Sequence, residues 1–109
     1  MTMPLFHRTV RWLSILACGV LGTLAQGQTA QELNTRALAA TCANCHGTDG
    51  RAVAGSGAAR LAGQSADFIV TQMQAFRSGS RPATVMHQLA KGYSDAQIQA
   101  LAVYFSAQR

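Results

Sequence analysis

Residues 41–50 read TCANCHGTDG, which places Cys42, Cys45 and His46 in the spacing Cys-x-x-Cys-His. Two thiols and an imidazole within five residues restrict a short chain severely. Whatever engages those side chains fixes the local backbone, and the remaining chain must fold to suit it. The 109 residues are enough for one small domain.

Not all of that length is available to a domain. The segment MTMPLFHRTVRW carries Arg8 and Arg11 without an acid, and Leu13 to Ala25 follow as thirteen uncharged residues. A membrane helix needs about 20 apolar residues. The shorter run suits the apolar core of a secretory leader. Residues 1–25 are therefore expected to be a signal peptide, cleaved after Ala25 or after Gly27, leaving a domain over residues 28–109. An uncleaved anchor is the plain alternative. A lipoprotein signal at Ile15-Leu16-Ala17-Cys18 would cut the apolar run short, since it continues past Cys18. The expected location is periplasmic, with no membrane span after cleavage.

Removing the leader takes away Trp12 and Cys18 and leaves seven basic and four acidic residues, a net charge of +3. That mild excess is spread along the chain, with no basic run and no interleaved aromatics, which argues against nucleic acid. Five aromatics, Phe68, Phe76, Tyr93, Tyr104 and Phe105, make a thin core for some eighty residues. Domains this small usually rely on disulfides, a metal or a cofactor. A disulfide between Cys42 and Cys45 would close almost no loop and constrain little, so the stabiliser has to be something else.

The pattern along the chain is helical. Leu33, Ala37, Leu38 and Thr41 recur at helical spacing, predicting a helix from about Gln31 into the cysteine pair. Gly47 to Gln64 contain five glycines and read as a long, functional loop. Ser65 as cap, Asp67 in the first turn and the stripe Ile69, Met73, Phe76 predict a second helix ending at Ser78-Gly79. RPATVMHQLAKGY reads as a loop that tightens into a short helix before Gly92. Ser94 and Gln97 have capping-box spacing. They open a last helix whose apolar face is Ile98, Leu101, Ala102 and Phe105. No stretch alternates at period two, so the expected fold is all-α, with three main helices and glycine-rich loops.

Three chemistries use a pair of cysteines in this way. Structural zinc takes four ligands. His87 is the only other histidine outside the leader, and its spacing from CANCH matches no common finger. A redox dithiol belongs beside a βαβ pattern, whereas this pair ends a helix. The third chemistry is covalent haem attachment: both thiols add to vinyl groups on one edge of the porphyrin, and the following histidine ligates iron. That reading makes Cys42 and Cys45 the thioether residues and His46 the proximal ligand. It also supplies the apolar bulk that the core lacks.

A site that passes electrons without binding small molecules needs a second axial ligand. Met73, Met86 and His87 are the candidates. Met73 lies on an apolar helical stripe, where methionine is more often packing. Met86 lies forty residues after His46, behind the stiffening pair Arg81-Pro82. His87 is adjacent, so Met86 and His87 do not both face the iron, and its plain reading is a surface or supporting residue. Spacing alone leans only modestly to Met86.

CANCHGTDG, RLAGQSADFIVTQMQAFRSG and MHQLAKGYSDAQIQALAVYFSAQ together resemble class I c-type cytochromes of the branch containing cytochrome c4. RPATVMHQLAKGYSD most resembles the haem subunit of flavocytochrome c sulfide dehydrogenase. The resemblance covers about Ala39 to Gln108. It implies a small cytochrome c fold around one covalent haem c, with Cys42, Cys45, His46 and Met86 as haem residues. It further implies an FAD-containing, sulfide-oxidising partner that gives up electrons to this chain. Such proteins usually carry a proline in the loop after the motif, where a carbonyl steadies the proximal histidine. Here the loop reads VAGSGAARLAG, and a carbonyl near Ala58 or Ala59 is the expected substitute.

The expected role is electron transfer, not catalysis by this chain alone, either as a complex subunit or as a free periplasmic shuttle. Residues Val85 to Tyr93 are the candidate partner surface. A haem sensor or peroxidase-like site, with an open distal position, is the competing class. Arg51, Arg60, Arg77, Arg81 and Lys91 are candidates to steer a partner or to pair with haem propionates, solvated surface charge being the plain reading for most.

Overall fold

A computed structural model describes residues 27–109. The expected leader, residues 1–25 with Cys18 and Trp12, lies outside them. Five α-helices follow in order: α1 (Ala30–Ala40), α2 (Ala43–His46), α3 (Ala66–Ser78), α4 (Met86–Leu89) and α5 (Asp95–Ser106). Short 3-10 turns cover Thr48–Gly50 and Ala90–Gly92. Among the described residues there is no strand, and no helix is long and apolar enough to cross a membrane.

The three longer helices start on side-chain caps. The Ser94 hydroxyl accepts from the Gln97 N–H at 3.2 Å, while the Gln97 side chain accepts from the Ser94 N–H at 2.9 Å. The same reciprocal box joins Thr29 and Glu32 at the start of α1. Ser65 accepts from the Phe68 N–H at 3.2 Å. Each box satisfies two of the donors that a helix start leaves orphaned.

Helices α1 and α3 both pack on α5, and α4 packs on α3. The buried cluster joins Ala39 of α1, Ile69 of α3, and Leu101, Ala102 and Phe105 of α5. The i, i+3, i+4 spacing predicted for α5 is the face it buries, with Ile98 alongside. On α1 the contact falls at Ala39, with Leu38 beside it, while Leu33 stays 53 % exposed. Cys42, Met73 and Tyr93 border the cluster.

Residues 47–64 are the expected long loop, and the main chain closes it. The Gly50 carbonyl accepts from the N–H groups of Leu61 and Ala62 at 2.9 and 3.0 Å, and Gly63 N–H donates to the Phe105 carbonyl at 3.0 Å. Gly50 has φ +76°, and a Cβ there would stand 2.8 Å from both the Leu61 Cβ and the Phe105 ring. Only glycine fits that approach.

Candidate functional site

Helix α1 runs toward the cysteines as predicted but tightens before reaching them. Thr41 and Cys42 donate to the carbonyls of Leu38 and Ala39, three residues back, at 3.1 Å each. The four-residue α2 then carries Cys45 and His46, with His46 N–H bonded to the Cys42 carbonyl at 3.0 Å. All three side chains thus ride on one turn. Gly47 reverses the chain at φ +77°, where a Cβ would lie 2.4 Å from the Arg51 carbonyl oxygen.

That reversal brings the loop back under the histidine. His46 Nδ1 lies 2.6 Å from the Ala59 carbonyl oxygen. A carbonyl only accepts, so Nδ1 carries the proton and the lone pair of the neutral ring is on Nε2. A histidine oriented in this way is prepared as a metal ligand. The expected carbonyl is therefore present without the proline, at Ala59.

The two thiols differ in setting. Cys45 is exposed, whereas Cys42 is half-buried against the core. Burial pushes the Cys42 thiol up, and the neighbouring Thr41 and Tyr93 hydroxyls act in the opposite direction.

The three distal candidates lie in different settings. Met86 opens α4 and is half-buried. His87 lines a shallow pocket with Gly79, Arg81, Pro82 and Ala83, and its Nδ1 is buried without a partner. Met73 packs against the core cluster. The turn before Met86 is pinned to α3: Arg81 N–H donates to the Ala75 carbonyl at 3.1 Å, and its guanidinium bonds the Gln72 side chain. That guanidinium also lies 4.6 Å from the centre of the Phe76 ring.

Two contacts were beyond the reach of sequence. The Thr41 and Tyr93 hydroxyls meet at 2.9 Å, and the Tyr104 hydroxyl donates to the Asp49 carboxylate at 2.5 Å. Each joins residues more than fifty positions apart, and no local pattern marks such a pair. Arg51 adds a 3.0 Å ion pair to Asp49. The Tyr104 bond, with Arg51 beside it, holds the Asp49 carboxyl below the usual carboxylate range.

Among the described residues no three His, Cys, Asp or Glu side chains converge on a metal-sized site, so a four-ligand zinc centre has no donor set here. Two thiols and a free Nε2 on one turn do suit haem, which takes thioether links from cysteines and an axial imidazole.

The cytochrome c family matches residues 33–108. The cytochrome subunit of sulfide dehydrogenase from Chlorobaculum tepidum is 43 % identical over 68 residues, 62 % of this chain and 60 % of that protein. The thiosulfate dehydrogenase electron acceptor of Stutzerimonas stutzeri is 33 % identical over 105 residues, covering 92 % of this chain and 49 % of that protein. A solved cytochrome c4 of Acidithiobacillus ferrooxidans has a TM-score of 0.64 and 31 % identity, across 73 % of this chain and 51 % of its own. The chain spans between 49 and 60 % of the length of these relatives. With the fold, the oriented histidine and these matches in agreement, the chain belongs to the cytochrome c family, as a c4-like class I cytochrome with one covalent haem c.

Proposed function

We propose that Cys42 and Cys45 hold the thioether links and that His46 Nε2 and Met86 Sδ are the axial ligands. The chain is then an exported, periplasmic carrier that accepts electrons from a sulfide-oxidising flavoprotein. The observation that carries the ligand reading is the 2.6 Å bond from His46 Nδ1 to the Ala59 carbonyl. It leaves Nε2 as the only ring nitrogen able to ligate, and it fixes the plane of the ring. Haem, when bound, would supply a one-electron ferric/ferrous couple.

The protein's part is to hold that redox centre still and keep both axial positions filled. Gly47 and Gly50 fold the loop so that Ala59 meets His46. The short α4 presents Met86, whose thioether favours the ferrous state and raises the potential. His87 lines a pocket with residues of the turn at 79–83, and the likeness to c4-type cytochromes supports Met86 over its neighbour. The likeness to a sulfide dehydrogenase cytochrome subunit supports the flavoprotein partner. A free shuttle is the second reading, favoured by the likeness to an electron acceptor of thiosulfate dehydrogenase.

The test is the absorption spectrum of protein exported from a host with haem-attachment machinery, oxidised and reduced, for wild type and Met86→Ala. Reduced haem bands that survive denaturation are expected, and would be lost with both Cys42 and Cys45 replaced. The weak long-wavelength sulfur-to-ferric-iron band should be present in wild type and absent from Met86→Ala. A wild type without that band, binding carbon monoxide at once, would replace the carrier by a sensor or peroxidase-like site. Copurification of a flavoprotein separates the subunit from the shuttle.

A further inference from the structure

Thr41 directly precedes Cys42, and Tyr93 lies seven residues after Met86. Their hydroxyls are 2.9 Å apart. Thr41 Oγ1 gives its own proton to the Leu38 carbonyl at 2.7 Å, so at the pair it accepts and Tyr93 donates. The Thr41 oxygen also stands 4.0 Å from the Cys42 sulfur. Tyr93 borders the buried cluster.

The position of Met86 depends on what holds its flanks. A helix of four residues has no stability of its own, because nucleation outweighs its few hydrogen bonds. On the entry side Arg81 ties the chain to Gln72, Ala75 and Phe76 of α3. On the exit side the chain passes fully buried Ala90 and reaches Tyr93. Beyond it, Asp95 is bound by Arg77 at 2.6 Å and Gln74 at 2.9 Å. The Tyr93 carbonyl also accepts from Arg77 of α3 at 3.5 Å, but among these anchors the Tyr93 hydroxyl alone bonds to the segment that carries Cys42.

We propose that Tyr93 is a positioning residue: with Thr41 it ties the Met86 segment to the cysteine segment and keeps the thioether from yielding its place to other ligands. The proposal rests on the reading of Met86 as axial ligand. If the Thr41–Tyr93 bond exists only while the segment is closed, losing it raises the population of the open form. The affinity of an entering ligand rises by the same factor.

The experiment is an imidazole titration of the ferric holoprotein, followed by loss of the sulfur-to-iron band, with thermal melts run alongside. Tyr93→Phe and Thr41→Val should each keep the band without imidazole and bind imidazole about three- to tenfold more tightly, the range expected for one neutral hydrogen bond. The double variant should gain no more than either single one, because both remove the same bond. Tyr104→Phe, which loses a hydrogen bond at the other loop, should melt lower and leave imidazole affinity unchanged. Should Tyr93→Phe fail to fold, Thr41→Val reads the same bond from its exposed end. Wild-type affinity in the Tyr93 and Thr41 variants, or an equal rise in Tyr104→Phe, would overturn the proposal. A wild type with no sulfur-to-iron band would instead overturn the ligand assignment and the positioning role with it.

Discussion

Two stretches of the chain border the candidate site, and they are held by different balances of main-chain and side-chain bonds. Residues 47–64 are closed by main-chain bonds, with Gly50 accepting two and Gly63 reaching Phe105. Residues 79–93 are secured largely by side chains: Arg81 on Gln72 and Phe76, Tyr93 on Thr41. A backbone-held loop tolerates most side-chain changes but not the loss of a glycine at a close approach. A side-chain-held segment can be loosened one bond at a time. The proximal histidine depends on the first stretch and the proposed distal methionine on the second, so the two sides of the site differ in how they can be altered.

The sharpest way to break this contrast is Gly50→Ala. A methyl there meets Leu61 and Phe105 at 2.8 Å with φ at +76°. Overpacking and left-handed strain together should cost about 2–4 kcal/mol in denaturant unfolding. A neutral result would show that the loop is not pinned by backbone contact. Next in size is Ser94→Ala, which removes the cap of α5 and should cost about 1 kcal/mol by the same measurement. Arg81→Ala removes the cation–π contact and the Gln72 bond at the entry to the distal segment. It should lower stability by about 0.5–1 kcal/mol and speed hydrogen exchange of amides 84–90 more than of amides 55–62. Equal effects on both stretches would erase the distinction.

The smallest effects concern pH. Asp49 is held below its ordinary range by Tyr104 and then Arg51, and Asp95 by Gln74 and then Arg77. A depressed carboxyl contributes stability above its unfolded value, and that contribution fades as pH falls through the folded one. Both Asp49→Asn and Asp95→Asn should therefore flatten the decline in Tm below roughly pH 4. Tyr104 is raised by its bond to Asp49. Its contribution is whole below roughly pH 10 and is lost above it, so Asp49→Asn should blunt the alkaline limb as well, and Asp95→Asn should not. Melting curves across the pH range decide this.

Much of the fold was legible because it is local. The buried face of α5 followed from Ile98, Leu101, Ala102 and Phe105 at helical spacing, and its start from Ser94 and Gln97. The motif at Cys42, Cys45 and His46 drew the site's proximal half, and a carbonyl at Ala58 or Ala59 was expected to orient the histidine. Other features were harder to see. The Thr29–Glu32 box carries the same signature as Ser94–Gln97 and could have been read from it. The tightening at Thr41 and Cys42 leaves no trace in apolar spacing, because it changes hydrogen-bond partners rather than faces. Leu33 shares a periodic stripe yet stays exposed, since α1 meets α5 near its C-terminal end at Ala39. Pairs such as Thr41–Tyr93 and Asp49–Tyr104 depend on how distant elements dock, and only the assembled fold brings them together.

The acceptor beneath His46 has one more consequence. A carbonyl belongs to every amino acid, so position 59 can change its side chain freely without withdrawing the contact that orients the imidazole. The loop can drift in sequence, as its missing proline already illustrates, while the proximal ligand sees the same oxygen. What the histidine requires at that position is a place for the main chain to pass, and the glycines at 47 and 50 secure it.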